Sequence, residues 1–103
     1  MEKFYRGDTI GFYMQGDAQT DLDANVFAVL IYNNVQQKDI VFQKSELTQI
    51  STNRYYGEIS NTITKSLHVG NYIKEILLGS DYTSIAKEEF FVLDDSHSKK
   101  LIV

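Results

Sequence analysis

The sequence predicts an all-β fold: a Greek-key β-sandwich of about seven antiparallel strands, forming a single domain over residues 1–103. Three observations predict it. Apolar residues recur with the period of two that marks a strand with one buried face, and no stretch of about 12 residues keeps a helical period. Turn-forming residues return roughly every 8–12 positions, the spacing of sandwich strands. Late in the chain, "TKSLHVGNY" (64–72) has the residue order of a tyrosine corner.

The first strand, A, is expected near 9–15, with Ile10, Phe12 and Met14 on one face and Thr9, Gly11, Tyr13 and Gln15 on the other. Just before it stands Arg6-Gly7-Asp8, the tripeptide that integrins read on exposed loops of secreted proteins. The N-terminus lacks the apolar run of an export signal. The tripeptide is therefore read as a turn, Gly7-Asp8-Thr9, with Asp8 or Thr9 bonding local backbone. The same absence places synthesis in the cytoplasm, with incorporation into a particle a later option.

A polar turn, 16–25, leads to strand B at 26–33, which is apolar on both faces. Strands C (38–44), D (46–51) and E (54–60) follow, then F (72–79) and G (84–94), the last with a bulge expected around Lys87–Glu89. The final "KKLIV" adds a short strand or a tail. A sandwich buries one face of each sheet. With Val26, Ala28 and Leu30 assigned to the core, Phe27, Val29 and Ile31 become the second face of strand B. That face is either covered by the terminal "LIV" or is a contact surface, and the contact surface is favoured.

The corner assigns a role to each of its residues. Thr64 caps a single helical turn, Leu67 drops into the core, and Gly70 takes a positive φ. Tyr72 opens the next strand with its hydroxyl reaching back to upstream backbone. The plainer alternative is a generic turn followed by a strand tyrosine.

Chemistry is sparse. Fourteen acidic against ten basic residues give net charge −4, and the basic residues are dispersed, which argues against a nucleic-acid partner. There is no cysteine, hence no disulfide and no thiolate metal site. The longest apolar run, Val26 to Tyr32, is too short to span a bilayer. Asp17, Asp21, Asp23 and Asn25 resemble a calcium loop, but Val26 replaces the turn glycine and Tyr32 the bidentate glutamate. His68 and His97 lack a ligand partner at metal spacing. The pairs Glu88–Glu89 and Asp94–Asp95 point to opposite faces of a strand, which defeats paired acid–base work. No enzyme activity, cofactor or metal is expected. Tyr55, Tyr56, Tyr72 and Tyr82 offer a sugar-stacking surface as an alternative function.

Three landmarks carry a family resemblance: "YRGDT" entering the first strand, "DLDANVFAVLIY" as the second, and "ITKSLHVGNYIKEILL" late in the chain. Their order resembles the immunoglobulin-like N-terminal domain of phage and prophage baseplate upper proteins. Thr64, Leu67, Gly70, Tyr72 and Glu75 match that family's signature. Lys74 departs from it, standing where an aromatic residue is common, and no receptor-binding region follows. The resemblance implies an immunoglobulin-like Greek-key sandwich serving as a non-catalytic structural module. Its partners would be proteins, through self-association or contact with other tail or baseplate components, with neither nucleic acid nor membrane involved. The alternative is a ligand-binding sandwich, for carbohydrate or a surface partner, or an accessory domain of a larger system.

Overall fold

The alternating segments form strands as their period requires, and the computed structural model describes residues 2–33 and 38–94. Eight strands are present among them: β1 (Glu2–Tyr5), β2 (Ile10–Gln15), β3 (Phe27–Asn33), β4 (Lys38–Gln43), β5 (Thr48–Ser51), β6 (Arg54–Ile59), β7 (Gly70–Leu78) and β8 (Thr83–Leu93). A 3-10 turn (Lys44–Glu46) precedes β5, and a one-turn helix, α1 (Asn61–Thr64), precedes β7. The larger sheet has the order β1-β8-β7-β3-β4 and the smaller β2-β6-β5. This is the all-β, immunoglobulin-like sandwich that the sequence predicts, with β2, β6 and β5 in the places of B, E and D.

The first three strand letters shift by one. At four residues, β1 is too short to reveal its period, yet Phe4 packs edge-on against Phe90 at 5.8 Å and β1 pairs with β8 in parallel. Segments 9–15, 26–33 and 38–44 therefore occupy the places of B, C and C′ rather than A, B and C. The bulge falls opposite Ile76 and Leu77, whose partners are Ala86 and Ser84, slightly earlier than expected. Residues 95–103, including His97 and the terminal "LIV", lie outside the described residues.

The second face of β3 is the reverse of that expected. Phe27, Val29 and Ile31 are buried to 1% exposure or less, so they form core and not a contact surface. Size explains the inversion. The gap between two packed sheets is about 10 Å and is filled by large side chains. Phe27, Val29 and Ile31 fill it where Ala28 would leave a void, and Phe27 meets Tyr55 edge-on at 5.0 Å. Ile10, Phe12 and Met14 complete the core from β2, with Ile59 from β6, Ile76 from β7 and Val92 from β8. Gly57 admits Phe12 and Leu47, since a Cβ there would lie 2.5 Å and 2.6 Å from their side chains.

Four connections carry the chain between sheets: residues 6–9, 16–26, 44–47 and 60–69. They are stitched in pairs. At one end, the Thr64 hydroxyl accepts the Gly7 N–H at 3.1 Å and lies 2.7 Å from the Asp8 carbonyl, to which it donates. At the other, the Lys44 ammonium donates to the carbonyls of Leu22, Asp23 and Asn25 at 2.8–2.9 Å, spending all three of its donors. The rings of Phe27 and Tyr55 lie 5.6 Å and 5.9 Å from the same nitrogen.

The corner forms as read, with one change of role. The Tyr72 hydroxyl donates to the His68 carbonyl at 2.8 Å, Leu67 is 1% exposed, and Gly70 has φ +146°. Ser60, not Thr64, caps the helical turn, its side chain accepting the Ile63 N–H. Thr64 ends that turn and is fully buried. The Arg6–Asp8 segment is the companion turn: the Arg6 N–H bonds the Leu93 carbonyl, the Asp8 N–H the Tyr5 carbonyl, and Gly7 has φ +91°. The Arg6 guanidinium pairs with Asp94 at 2.8 Å. Backbone, not the exposed Asp8 or Thr9 side chains, carries the turn.

These contacts set the order of three variants in urea unfolding. Thr64→Val leaves the Gly7 N–H without its acceptor and destabilises by roughly 1–3 kcal/mol. Tyr72→Phe loses one hydrogen bond, about 1 kcal/mol. Asp8→Ala changes stability by less than about 0.5 kcal/mol, because that side chain is exposed.

Candidate functional site

Two surfaces remain once the core and the stitches are removed. The first is the face of the larger sheet turned away from the smaller one. Strand partners share a face, so the register assembles it: Leu30 lies between Val41 and Glu75, Tyr32 between Asp39 and Ile73, and Ala28 between Gln43 and Leu77. Leu30, Tyr32, Ile73 and Leu77 are half-buried, and Val41 is 49% exposed. Phe91 and Leu93 continue the apolar stripe on β8, and Tyr5 on β1. Its charges are Asp39 on β4, Lys3 on β1, Glu89 on β8 and, across β7 and β8, Glu75 with Lys87 at 4.0 Å. Period two reveals these residues in the sequence, but their face is decided only by which alternate set is large enough to fill the core.

The second surface is a cleft of about 440 Å³ on the open side of the sandwich, lined by Tyr13, Gln15 and Arg54 of the smaller sheet and Lys74, Ala86, Lys87 and Glu88 of the larger. Met14 and Ile76 also line it. Tyr13 is 51% exposed and its ring meets that of Tyr56 at 5.0 Å. The Arg54 guanidinium lies 4.9 Å from the Tyr13 ring centre, which fits the diagonal reach across antiparallel strands. Tyr56 leans over Gly11, where any Cβ would come within 2.6 Å of its hydroxyl, and donates to Glu58 at 2.7 Å.

Lys74 closes the inner end of this cleft. Only 9% exposed, its ammonium donates to the Tyr13 carbonyl at 2.9 Å and pairs with Glu88 at 2.8 Å. Because β2 is the end strand of its sheet, that carbonyl has no further strand to pair with, and an inward cation occupies it.

Of the tyrosines singled out in the sequence, Tyr55 and Tyr72 are core residues at 4% and 1% exposure. Tyr56 is half-buried, and Tyr82 is 53% exposed in the β7–β8 turn. The surface aromatic pair is Tyr13 with Tyr56. Tyr13 sits on the polar face of its strand, a signal already present in the alternation. Its pairing with Tyr56 depends on the β2–β6 register.

The acidic loop is committed internally. Asp17 accepts the N–H groups of Gln19 and Thr20, and Asp21 that of Ala24. Asp23 accepts the Tyr55 hydroxyl and the Gln49 amide on one oxygen and the Asn53 N–H on the other. The loop's carbonyls at 22, 23 and 25 face the Lys44 ammonium, which takes the place a cation would hold. Among the described residues, no group of three or more His, Asp or Glu side chains gathers to hold a metal.

These bonds set a pH response. The Thr20 and Gln19 N–H groups hold the Asp17 carboxyl below its ordinary 3.8. For Asp23, the Tyr55 hydroxyl and then the Asn53 N–H have the same effect. A carboxyl lowered by folding adds stability above its unfolded value, and that stability is lost as pH falls through the folded one. Burial, then Asp23, pushes the Tyr55 phenol from 10.0 up to about 12, so its contribution is complete below pH 10 and is lost as pH rises toward 12. Unfolding midpoints should thus decline below about pH 4, with the Asp23→Asn variant showing a shallower acid limb. Lys44→Met, which strands three carbonyls, should destabilise by roughly 1–3 kcal/mol at neutral pH.

Comparison with known proteins places the fold alone. No family model matches the chain, and no curated relative does. Among solved structures, a candidate glycoside hydrolase from Bacteroides vulgatus is similar over 93% of this chain, with a TM-score of 0.59 and 8% identity. The match spans 17% of that much longer protein, so the sandwich is similar to one portion of it.

Proposed function

We propose that the protein is a non-catalytic assembly module that packs against a second copy of itself through the outer face of its larger sheet. The observation that carries this reading is the apolar stripe of Leu30, Tyr32, Val41, Ile73 and Leu77, half-buried or more exposed on a face that the core does not use. Contiguous apolar surface of this kind marks a protein contact. A twofold axis along the strands lies over the central β7 and sets β4 of one copy opposite β1 of the other, bringing Asp39 toward Lys3, while Glu75 at the centre is answered by Lys87 of its own chain. The resemblance of the corner and strand entries to baseplate upper proteins supports a place in a phage or prophage-like particle. The contact residues proposed from the sequence, Phe27, Val29 and Ile31, are replaced by their neighbours on the opposite face of β3.

A second reading is favoured by a separate observation, the Tyr13–Tyr56 pair beside the cleft. On it, the chain is an accessory saccharide-binding domain of a larger enzyme, a reading supported by the likeness to part of a candidate glycoside hydrolase.

Size-exclusion chromatography with light scattering tests the first reading. The expected result is a dimer or larger species that Ile73→Glu converts to a folded monomer. A wild-type protein that stays monomeric as concentration rises defeats it.

A further inference from the structure

We propose that the cleft beside Tyr13 and Arg54 binds a carboxylated saccharide, a uronic-acid oligomer. The proposal rests on the accessory-domain reading and names its ligand class. Arg54 is the cation of the lining left without an ion pair among the described residues, since Lys74 is paired with Glu88 and Lys87 with Glu75, and it sets a local positive charge on a chain of net charge −4. Such a reversal concentrates anions at one place on an otherwise repelling surface. The three cations are not equivalent. Lys74 is consumed by Glu88 and the Tyr13 carbonyl, and Lys87 reaches Glu75 only at 4.0 Å, on the outer face. Arg54 makes no ion pair among the described residues and is oriented by the Tyr13 ring. A planar guanidinium held on an aromatic ring is pre-set for two parallel hydrogen bonds to a carboxylate.

The rest of the lining selects a sugar over a bare anion. Tyr13 and Ala86 offer aromatic and apolar surface at the mouth of the cleft for the C–H faces of a pyranose, with the buried Met14 and Ile76 at its floor, while the Gln15 amide is held by the Gly16 and Asn53 carbonyls. At about 440 Å³ the space lies within the range of small-molecule sites, and its open side lets a chain continue outward. Arg54 lies beside Tyr13, so a ring seated there has its carboxylate toward Arg54.

The test is titration of the full chain with a galacturonic-acid trimer, a neutral galactose trimer and a sulfated galactose trimer, followed by backbone amide NMR. The expected result is saturable shifts centred on Tyr13, Arg54 and Ala86 with the uronate trimer, and binding weaker by roughly tenfold for the neutral one. Arg54→Met should weaken uronate binding by about tenfold, and Arg54→Lys should not restore it, because an ammonium lacks the paired donors. Tyr13→Ala is the second variant, reducing affinity for both trimers; folding of each variant is read from the same spectra. Equal binding of neutral and uronate trimers, unaffected by Arg54→Met, overturns the acidic ligand while leaving a saccharide site. Sulfated and uronate trimers binding alike and independently of Arg54 reduce the effect to general charge and overturn it too. No shift with any trimer ends both this proposal and the reading beneath it.

Discussion

A buried hydroxyl holds this sandwich in register with itself. The Thr64 side chain sits where two sheet-crossing connections meet, accepting from Gly7 and donating to Asp8, so the entry of β2 and the exit of β6 cannot move independently. A buried N–H without an acceptor costs about as much as a lost hydrogen bond, which makes the hydroxyl a constraint and not an ornament. Lys44 does the same work at the far end with a cation in place of a hydroxyl. Between these stitches, the two sheets are fixed closely enough for Phe12, Phe27 and Tyr72 to interdigitate.

The stitches also decide where the cleft opens. By joining the sheets at their two ends, they leave the long side beside β2 open, and the cleft forms there. The smaller sheet ends at β2 and has no further strand to close that side. Lys74 answers the exposed edge by turning a charged group inward onto the Tyr13 carbonyl. An aromatic side chain at that position would pack in the core but could not satisfy the carbonyl. The buried Lys74 and the open edge are therefore one physical fact, and in a chain with no proline the inward cation is an available way to protect such an edge.

The acidic loop shows how a sequence motif can be emptied of its apparent chemistry by its surroundings. Its carboxylates are acceptors for their own backbone and for Tyr55, and its carbonyls converge on Lys44. Those three carbonyls are satisfied by the ammonium of Lys44. The consequence is a loop whose stability is tied to pH.

Much of the fold was legible because period-two alternation and turn residues are local properties. The strands from β2 to β8 and the corner residues Leu67, Gly70 and Tyr72 follow from spacing and from the φ that glycine permits. Less could be read where the deciding quantity is not local. The strand β1 is too short to show a period and exists because β8 offers it a parallel edge. Thr64 looks like a cap because its neighbours are helical, but its partners, Gly7 and Asp8, are 57 and 56 residues away. The inversion of β3 has the same cause. Both of its faces are apolar, so alternation alone names two candidate cores, and only the volume between packed sheets chooses Phe27, Val29 and Ile31 over Ala28 and Leu30. By itself, then, the sequence determined that strands form and where they turn, because steric and periodic preferences act within a few residues. The tertiary structure alone decided which face is core and which groups share a cleft, because filling a gap and satisfying a buried donor are settled between segments that meet only on folding.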